Sequence, residues 1–446
     1  MTTPVLEQVD PATLRKVIVA AAIGNFVEWF DFAVYGFLAT TIAQQFFPSG
    51  DASAALLKTF AVFAVAFAFR PLGGVFFGML GDRIGRKRTL AFTILLMAGA
   101  TTIIGLLPTY AAIGVMAPVL LTLIRCAQGF SAGGEYAGAC AYLMEHAPRT
   151  QRAWYGSFVP VSTFSAFAAA AIIAYALEAS LSSEAMGSWG WRLPFLIAAP
   201  LGLVGLYLRW KLDETPAFQA VKQEHAVAHS PLKETLRNHG AAICCLGAFV
   251  SLTALSFYMF TTYFATYLQV AGGLSRATAL LVSLIALLFA AAICPVAGAF
   301  SDKVGRRKTV LSTCVLLIVV VYPSFLMASS GSFVASIVGV MLLAIGAVLC
   351  GVVTAALLSE TFPTRTRYTA SAITYNMAYT IFGGTAPLMA TWLIGATGSN
   401  LAPAFYLIVI ALLALAGGLA LPETSKVSLH EVEGSLTARG RLQTAI

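Results

Sequence analysis

GMLGDRIGRKR at residues 78–88 returns as GAFSDKVGRRK at residues 298–308, 220 positions further along the chain. Gly78, Asp82, Gly85 and Arg86 of the first copy stand in register with Gly298, Asp302, Gly305 and Arg306 of the second, and Arg83 with Lys303. Each copy follows an apolar run long enough to cross a bilayer and precedes another. Glycine permits close helix approach and a tight turn. An aspartate at a helix end can face the positive N-terminus of a neighbouring helix or pair with a loop cation. The basic run anchors the turn to an anionic leaflet. A solvated charge run explains one copy. Two copies with the same Gly, Asp and Gly positions point to a duplicated transporter, one hairpin in each half and each a candidate gating motif.

The rest of the chain fits this reading. Of 446 residues, 59% are hydrophobic and 10% charged, against about 25% charged in an ordinary soluble domain. Apolar runs fall at 17–46, 55–80, 89–107, 111–145, 153–179 and 191–211, then at 240–270, 275–300, 309–328, 333–361, 367–397 and 402–421. The spacing predicts an all-α membrane protein of twelve spans in two parallel six-helix halves. The expected divisions are 1–211 for the first bundle, 212–239 for a polar linker, 240–421 for the second bundle and 422–446 for a short tail. The duplication extends to Glu145-x-x-Pro148-x-x-x-Arg152, matched by Glu360-x-x-Pro363-x-x-x-Arg367, and to Asp213-Glu214-Thr215, matched by Pro422-Glu423-Thr424.

A net charge of +8 reflects where the cations lie rather than a nucleic-acid face. Lys58, Arg192 and Arg276 fall on one side of the predicted membrane, and Arg70 and Arg125 fall inside spans. The other 22 Lys and Arg lie on the opposite side, which the positive-inside rule makes cytoplasmic, with both termini there. The seven cysteines all sit in apolar runs without metal-ligand spacing, as small core residues do. The N-terminus has acids before its basic pair and a first apolar run too long for a cleavable signal.

Ionisable residues at membrane depth are costly unless paired or hydrated. Glu28 lies about 18 Å beyond Lys16 along a helix, with Asp31 one turn further. Arg70, Arg125 and Glu135 also fall at central to outer depth. The matching spans of the second half carry neutral polar groups, among them Tyr258, Thr262, Tyr263, Asn376 and Tyr379. A desolvated carboxylate that meets an arginine when substrate leaves can take up and release one proton per cycle. Proton-coupling candidates are therefore Glu28, Asp31, Glu135 and Arg125, with a buried ion-pair network as the structural alternative. Substrate-binding candidates are Arg70, Gln128, Tyr258, Thr262, Tyr263, Asn376 and Tyr379, because an arginine fork suits a carboxylate. Trp29, Phe30 and Phe32 flank the acids, either as packing or as a wall for a quaternary ammonium.

The hairpins resemble the signature of the major facilitator superfamily, and Arg125-Cys126-Ala127-Gln128-Gly129 resembles its RxxQG motif, linked there to proton coupling. GNFVEWFDFAVYGF (24–37), RPLGG (70–74), QGFSAGGEY (128–136), WGWRLPF (189–195) and LDETPAF (212–218) are similar to the metabolite:proton symporters over essentially the whole chain. That resemblance implies a symporter of a small polar metabolite in a bacterial cytoplasmic membrane, driven by the proton gradient without a cofactor. The first half is most similar to proline/betaine transporters, whereas Ser256–Tyr263 is more like dicarboxylate carriers. An osmolyte such as proline or betaine is the expected solute, with an organic acid such as 2-oxoglutarate, citrate or shikimate as the alternative. The osmosensing relatives carry a long C-terminal coiled coil. No heptad pattern follows residue 425, a departure from those relatives that puts osmotic activation in doubt.

Other classes fit poorly. There is no G-x-x-x-x-G-K-[ST] loop for a pump. The five histidines lie in predicted loops or the tail, with no H-E-x-x-H for an intramembrane enzyme. An exporter or a non-transporting sensor on the same scaffold would differ in flux rather than in any residue. Expected partners are the solute, protons and the bilayer, with no need for an oligomer.

Overall fold

The computed structural model describes residues 11–84, 86–133, 136, 144, 147–211, 231–362 and 367–425. Among these residues, nine helices are long and apolar enough to cross a membrane. A bent pair, Ala22–Phe37 with Ala39–Phe46, makes ten, and two shorter apolar helices, Ala91–Leu106 and Met116–Ser131, stand at the two remaining positions of the twelve-helix plan. The first span bends by 63° around Leu38, which the apolar run alone did not announce. The seventh begins at Pro231, nine residues inside the expected linker. Residues 212–230 and 426–446, with Gly85 and Glu135, lie outside the described residues. For Gly78, Asp82, Arg83 and Arg86 only the helical backbone is described.

Local chemistry sets several span ends. Asp51 caps the second span by accepting from the Ser53 N–H at 2.9 Å, and Ser275 caps the eighth by accepting from Thr278 at 3.2 Å. Two spans are interrupted by π-helical turns, Met259–Tyr263 in the seventh and Tyr379–Gly383 in the eleventh. Such turns redirect the side chains that follow them and recur at functional sites. Pro387 sits in the first turn of the helix after the second interruption, where its missing N–H costs nothing. Pro295 and Pro323 lie inside continuous helices.

Glycines let the second and fourth spans touch backbone to backbone. A Cβ on Gly73 would lie 1.7 Å from the Phe130 carbonyl oxygen, and one on Gly129 equally close to that of Ala66. This crossing brings Arg70 and Arg125 into one half-bundle interior, where both are fully buried.

The second hairpin performs both tasks its sequence suggested. Gly298 lets the eighth span rest on the start of the fifth, since a Cβ there would lie 2.6 Å from the Ala153 carbonyl. One turn on, the Asp302 carboxylate accepts from the Ala153 N–H at 3.1 Å and the Trp154 N–H at 2.9 Å. It thereby caps the short helix Arg152–Gly156 from the other half. Asp302 also pairs with Arg306 at 2.9 Å. Arg306 grips Glu360 through Nε and Nη2 at 3.1 and 3.2 Å, Arg152 lies 3.7 Å from Glu360, and the Thr424 hydroxyl donates to it at 2.8 Å. Glu423 accepts from the backbone N–H groups of Arg306 and Arg307 at 2.8 and 3.2 Å. Gly305 has φ +99°, and a Cβ there would lie 2.5 Å from the Glu423 carboxylate, so a side chain is excluded twice.

At the opposite ends of the spans the halves meet through weaker links. Arg276 donates to Gln44 at 3.0 Å and Thr40 to Gln269 at 3.4 Å. Between these levels, Asn376 donates to the Gly133 carbonyl at 3.2 Å and Thr380 to that of Phe67 at 3.1 Å. Among the described residues the halves touch at both ends and at the centre.

Candidate functional site

The acids and arginines predicted to converge sort into two pairs inside the first half. Glu28 faces Arg70, with 3.9 Å between carboxylate and guanidinium. Asp31, one turn along, lies beside the Thr101 hydroxyl and the Arg125 guanidinium. Helix periodicity places both acids on one face, but each looks to a different neighbouring span. The ring of Phe32 stands between the pairs, its centroid 5.7 Å from Cζ of Arg70 and 5.5 Å from that of Arg125. All five side chains are buried.

Arg125 donates through Nη1 to the Gln128 amide oxygen at 2.7 Å, and the Gln128 amide nitrogen donates to the Thr101 hydroxyl at 2.5 Å. Thr101 in turn donates to the Met97 carbonyl at 3.0 Å. The same hydroxyl lies beside Asp31 and can turn to either acceptor, the Met97 carbonyl or the Asp31 carboxyl. Arg125 also stacks on Tyr35, 4.2 Å from the ring centre. Gln128, expected at the substrate, is instead engaged at both amide atoms within this chain.

Arg70 has a different setting. Its Nη2 donates to the Ala132 carbonyl at 3.4 Å, and its guanidinium is in electrostatic reach of the Tyr258, Tyr375 and Tyr379 phenols. Among the described residues Nε and Nη1 of Arg70 and the hydroxyls of Tyr258 and Tyr375 have no hydrogen-bond partner, although all are buried. Buried polar groups are almost always satisfied, so four unmet groups in one place make this a candidate ligand position. Tyr375 stacks on Tyr379 at 3.9 Å and on Tyr136 of the first half at 4.6 Å. A small cavity lined by Val27, Glu28, Thr93, Met97 and Ser131 lies behind Glu28.

The second-half candidates separate as well. Tyr258, Asn376 and Tyr379 reach the Arg70 region. Thr262 packs its methyl against Gly36, and Tyr263 packs on Phe60 at 6.0 Å while its hydroxyl faces Thr391, so both belong to the closure between halves. Residues that sequence reasoning missed are Thr101, one of many threonines in apolar helices, and Asn25. The Asn25 amide nitrogen donates to Ser162 and Thr163 at 2.8 and 2.7 Å, and its oxygen accepts from the Trp29 indole at 3.0 Å, fixing that ring. The polar run Ser162-Thr163 in an apolar span was the available signal.

The sequence matches the family profile described as Major Facilitator Superfamily over residues 21–387 and 273–441. A proline/betaine transporter of Salmonella typhimurium strain LT2 is 38% identical over 98% of this chain and 88% of its own length. The glycine betaine/proline/ectoine/pipecolic acid transporter OusA of Dickeya dadantii is 39% identical over 94% of this chain and 86% of its own. Among solved structures, the proton:xylose symporter XylE superposes with a TM-score of 0.73 at 18% identity, covering 95% of this chain and 98% of that one. A partially occluded inward-open form of XylE from E. coli gives 0.73 at 17% identity, over 94% and 100% of the two chains. At those identities the superpositions speak to the fold alone.

Proposed function

The chain belongs to the major facilitator superfamily, among relatives of the bacterial proline/betaine transporters, and from that premise we propose a proton-coupled importer of a zwitterionic osmolyte. The observation that carries this is the group of unmet donors around Arg70, placed where the two halves meet. Arg70 receives the substrate carboxylate at an unmet N–H, on Nε or on Nη1, helped by the Tyr258 and Tyr375 hydroxyls. A charged N–H donor holds a carboxylate more strongly than a neutral one does.

Protons enter through the neighbouring pair. Asp31 carries the proton, and Arg125, held by Gln128 and Thr101, compensates its charge after release. Glu28 couples the two events because it shares Arg70 with the substrate: a carboxylate arriving on Arg70 weakens the hold on Glu28. Glu135 stays a candidate from sequence. The carrier alternates access about this site, with the Asp302–Arg306–Glu360 cluster closing the side that bears the hairpins. Its dense cations make that side cytoplasmic, with both termini there, in the cytoplasmic membrane of a bacterium. The halves correspond to residues 1–211 and 240–421, joined through 212–239, with 422–446 as a tail. The proton gradient suffices without a cofactor, and one chain holds a complete site.

Uptake by bacteria lacking their own osmolyte carriers tests this reading. Labelled proline or betaine should accumulate in a protonophore-sensitive way. The second reading, an organic-acid symporter, draws on one observation: Arg125 too has unmet Nε and Nη2 among the described residues, enough to seat a second carboxylate. Accumulation of 2-oxoglutarate or citrate alone would establish it instead.

A further inference from the structure

Trp29, Phe32, Phe67 and Tyr258 form a closed circuit of rings. Successive centroids are 6.1 Å apart from Trp29 to Phe32, 5.5 Å to Phe67, 5.2 Å to Tyr258 and 6.3 Å back to Trp29. The Arg70 guanidinium lies against it, with Cζ 6.0, 5.7 and 5.2 Å from Trp29, Phe32 and Phe67. Every member is fully buried or nearly so. We propose that this ring circuit is the subsite for the substrate's ammonium, and that Arg70 occupies it as a stand-in cation while the carrier is empty. The inference rests on the osmolyte reading and adds the chemical class the site selects.

The present tenant is poorly served there. A structural arginine in a low-dielectric interior normally has its N–H groups saturated, because an unpaired buried charge is expensive. Arg70 has one long bond to a carbonyl and a carboxylate at 3.9 Å, with two N–H positions unmet among the described residues. Ring faces attract a cation but accept hydrogen bonds weakly. A guanidinium therefore forfeits bonds in this box, whereas a quaternary ammonium, having no N–H, forfeits none. Exchange of one for the other leaves the rings occupied and frees an N–H of Arg70 for the substrate's carboxylate.

This chemistry ranks ligands. Betaines without N–H groups suit the box best. A secondary ring ammonium such as proline's brings two N–H groups, for which the Tyr258 and Tyr375 hydroxyls are the acceptors at hand. A primary ammonium brings three and is disfavoured. The construction also couples occupancy to closure, since three rings come from the first half and Tyr258 from the second. The box is whole only when the halves meet, and Arg70 lets the empty carrier complete it during the return step.

The test compares glycine betaine with 3,3-dimethylbutanoate, its isostere with carbon in place of the charged nitrogen. Both compete against labelled betaine in liposomes holding the purified protein. The charged compound should inhibit more strongly by on the order of tenfold, and Trp29→Leu and Phe67→Leu should pull that ratio towards one. Equal inhibition by the two compounds in the unaltered protein, or an unchanged ratio in both leucine variants, would overturn the box while leaving osmolyte transport intact. Should either variant fail to fold, the unaltered protein's ratio decides alone. Accumulation of organic acids without any betaine uptake would remove the osmolyte reading and the box together.

Discussion

Arg306 and Glu360 face each other through two hydrogen bonds of 3.1 and 3.2 Å, with 0% and 1% of their surfaces exposed. They tie the ninth span to the tenth at the level where Asp302 caps the fifth. Removing one partner of a buried ion pair leaves the other charge uncompensated, at a cost of about 3–5 kcal/mol. Glu360→Ala should therefore lower the thermal unfolding midpoint of the detergent-purified protein far more than Arg306→Lys, which keeps the charge and loses only the fork. Equal shifts would mean that geometry, not charge, holds the cluster.

Asp302 links the halves through two backbone N–H groups, so its removal should loosen that contact as well as cost stability. Asp302→Ala should raise the reactivity of a cysteine placed at Trp154 towards a membrane-impermeant thiol reagent. Reactivity equal to that of the same cysteine beside an intact Asp302 would deny the carboxylate a gating role.

Glu423 gives the latch a pH dependence. Burial alone would raise its pKa, but the N–H groups of Ser425, Arg306 and Arg307 outweigh burial and hold it below its ordinary 4.5. A carboxyl lowered in the folded state contributes stability that is present above 4.5 and lost as pH falls through the folded value. Thermal stability should fall on acidification below about pH 4.5, and Glu423→Gln should flatten that limb by lowering the neutral-range plateau towards the acid value.

Backbone contact at Gly129 leaves no room for a methyl group, whereas a Cβ on Gly351 meets nothing within 4 Å. Gly129→Ala should abolish or severely reduce the yield of folded protein, and Gly351→Ala should leave it unchanged. Fluorescence-detected size exclusion of the two variants measures this directly.

The hairpins show what a sequence can disclose and why. Gly298, Asp302 and Gly305 act through backbone approach, helix capping and positive φ, all properties of residue type and local spacing. The twelve spans were legible for the same reason, since hydropathy and length are local. The pairing of Glu28 with Arg70 and of Asp31 with Arg125 was not, because it depends on which neighbour each helix face meets. The π-helical turns at Met259–Tyr263 and Tyr379–Gly383 were equally hidden, being set by packing between spans. Gln128 illustrates the limit in the other direction: its type suits a ligand, but Thr101, distant in sequence, already claims it.

The most direct measurement is lumenal pH in liposomes holding the purified protein, read with an entrapped dye and no imposed gradient, on adding betaine or proline outside. The account predicts acidification of the lumen with either solute, and none with Asp31→Asn. Entry of labelled betaine without acidification, or acidification evoked only by an organic acid, would contradict it.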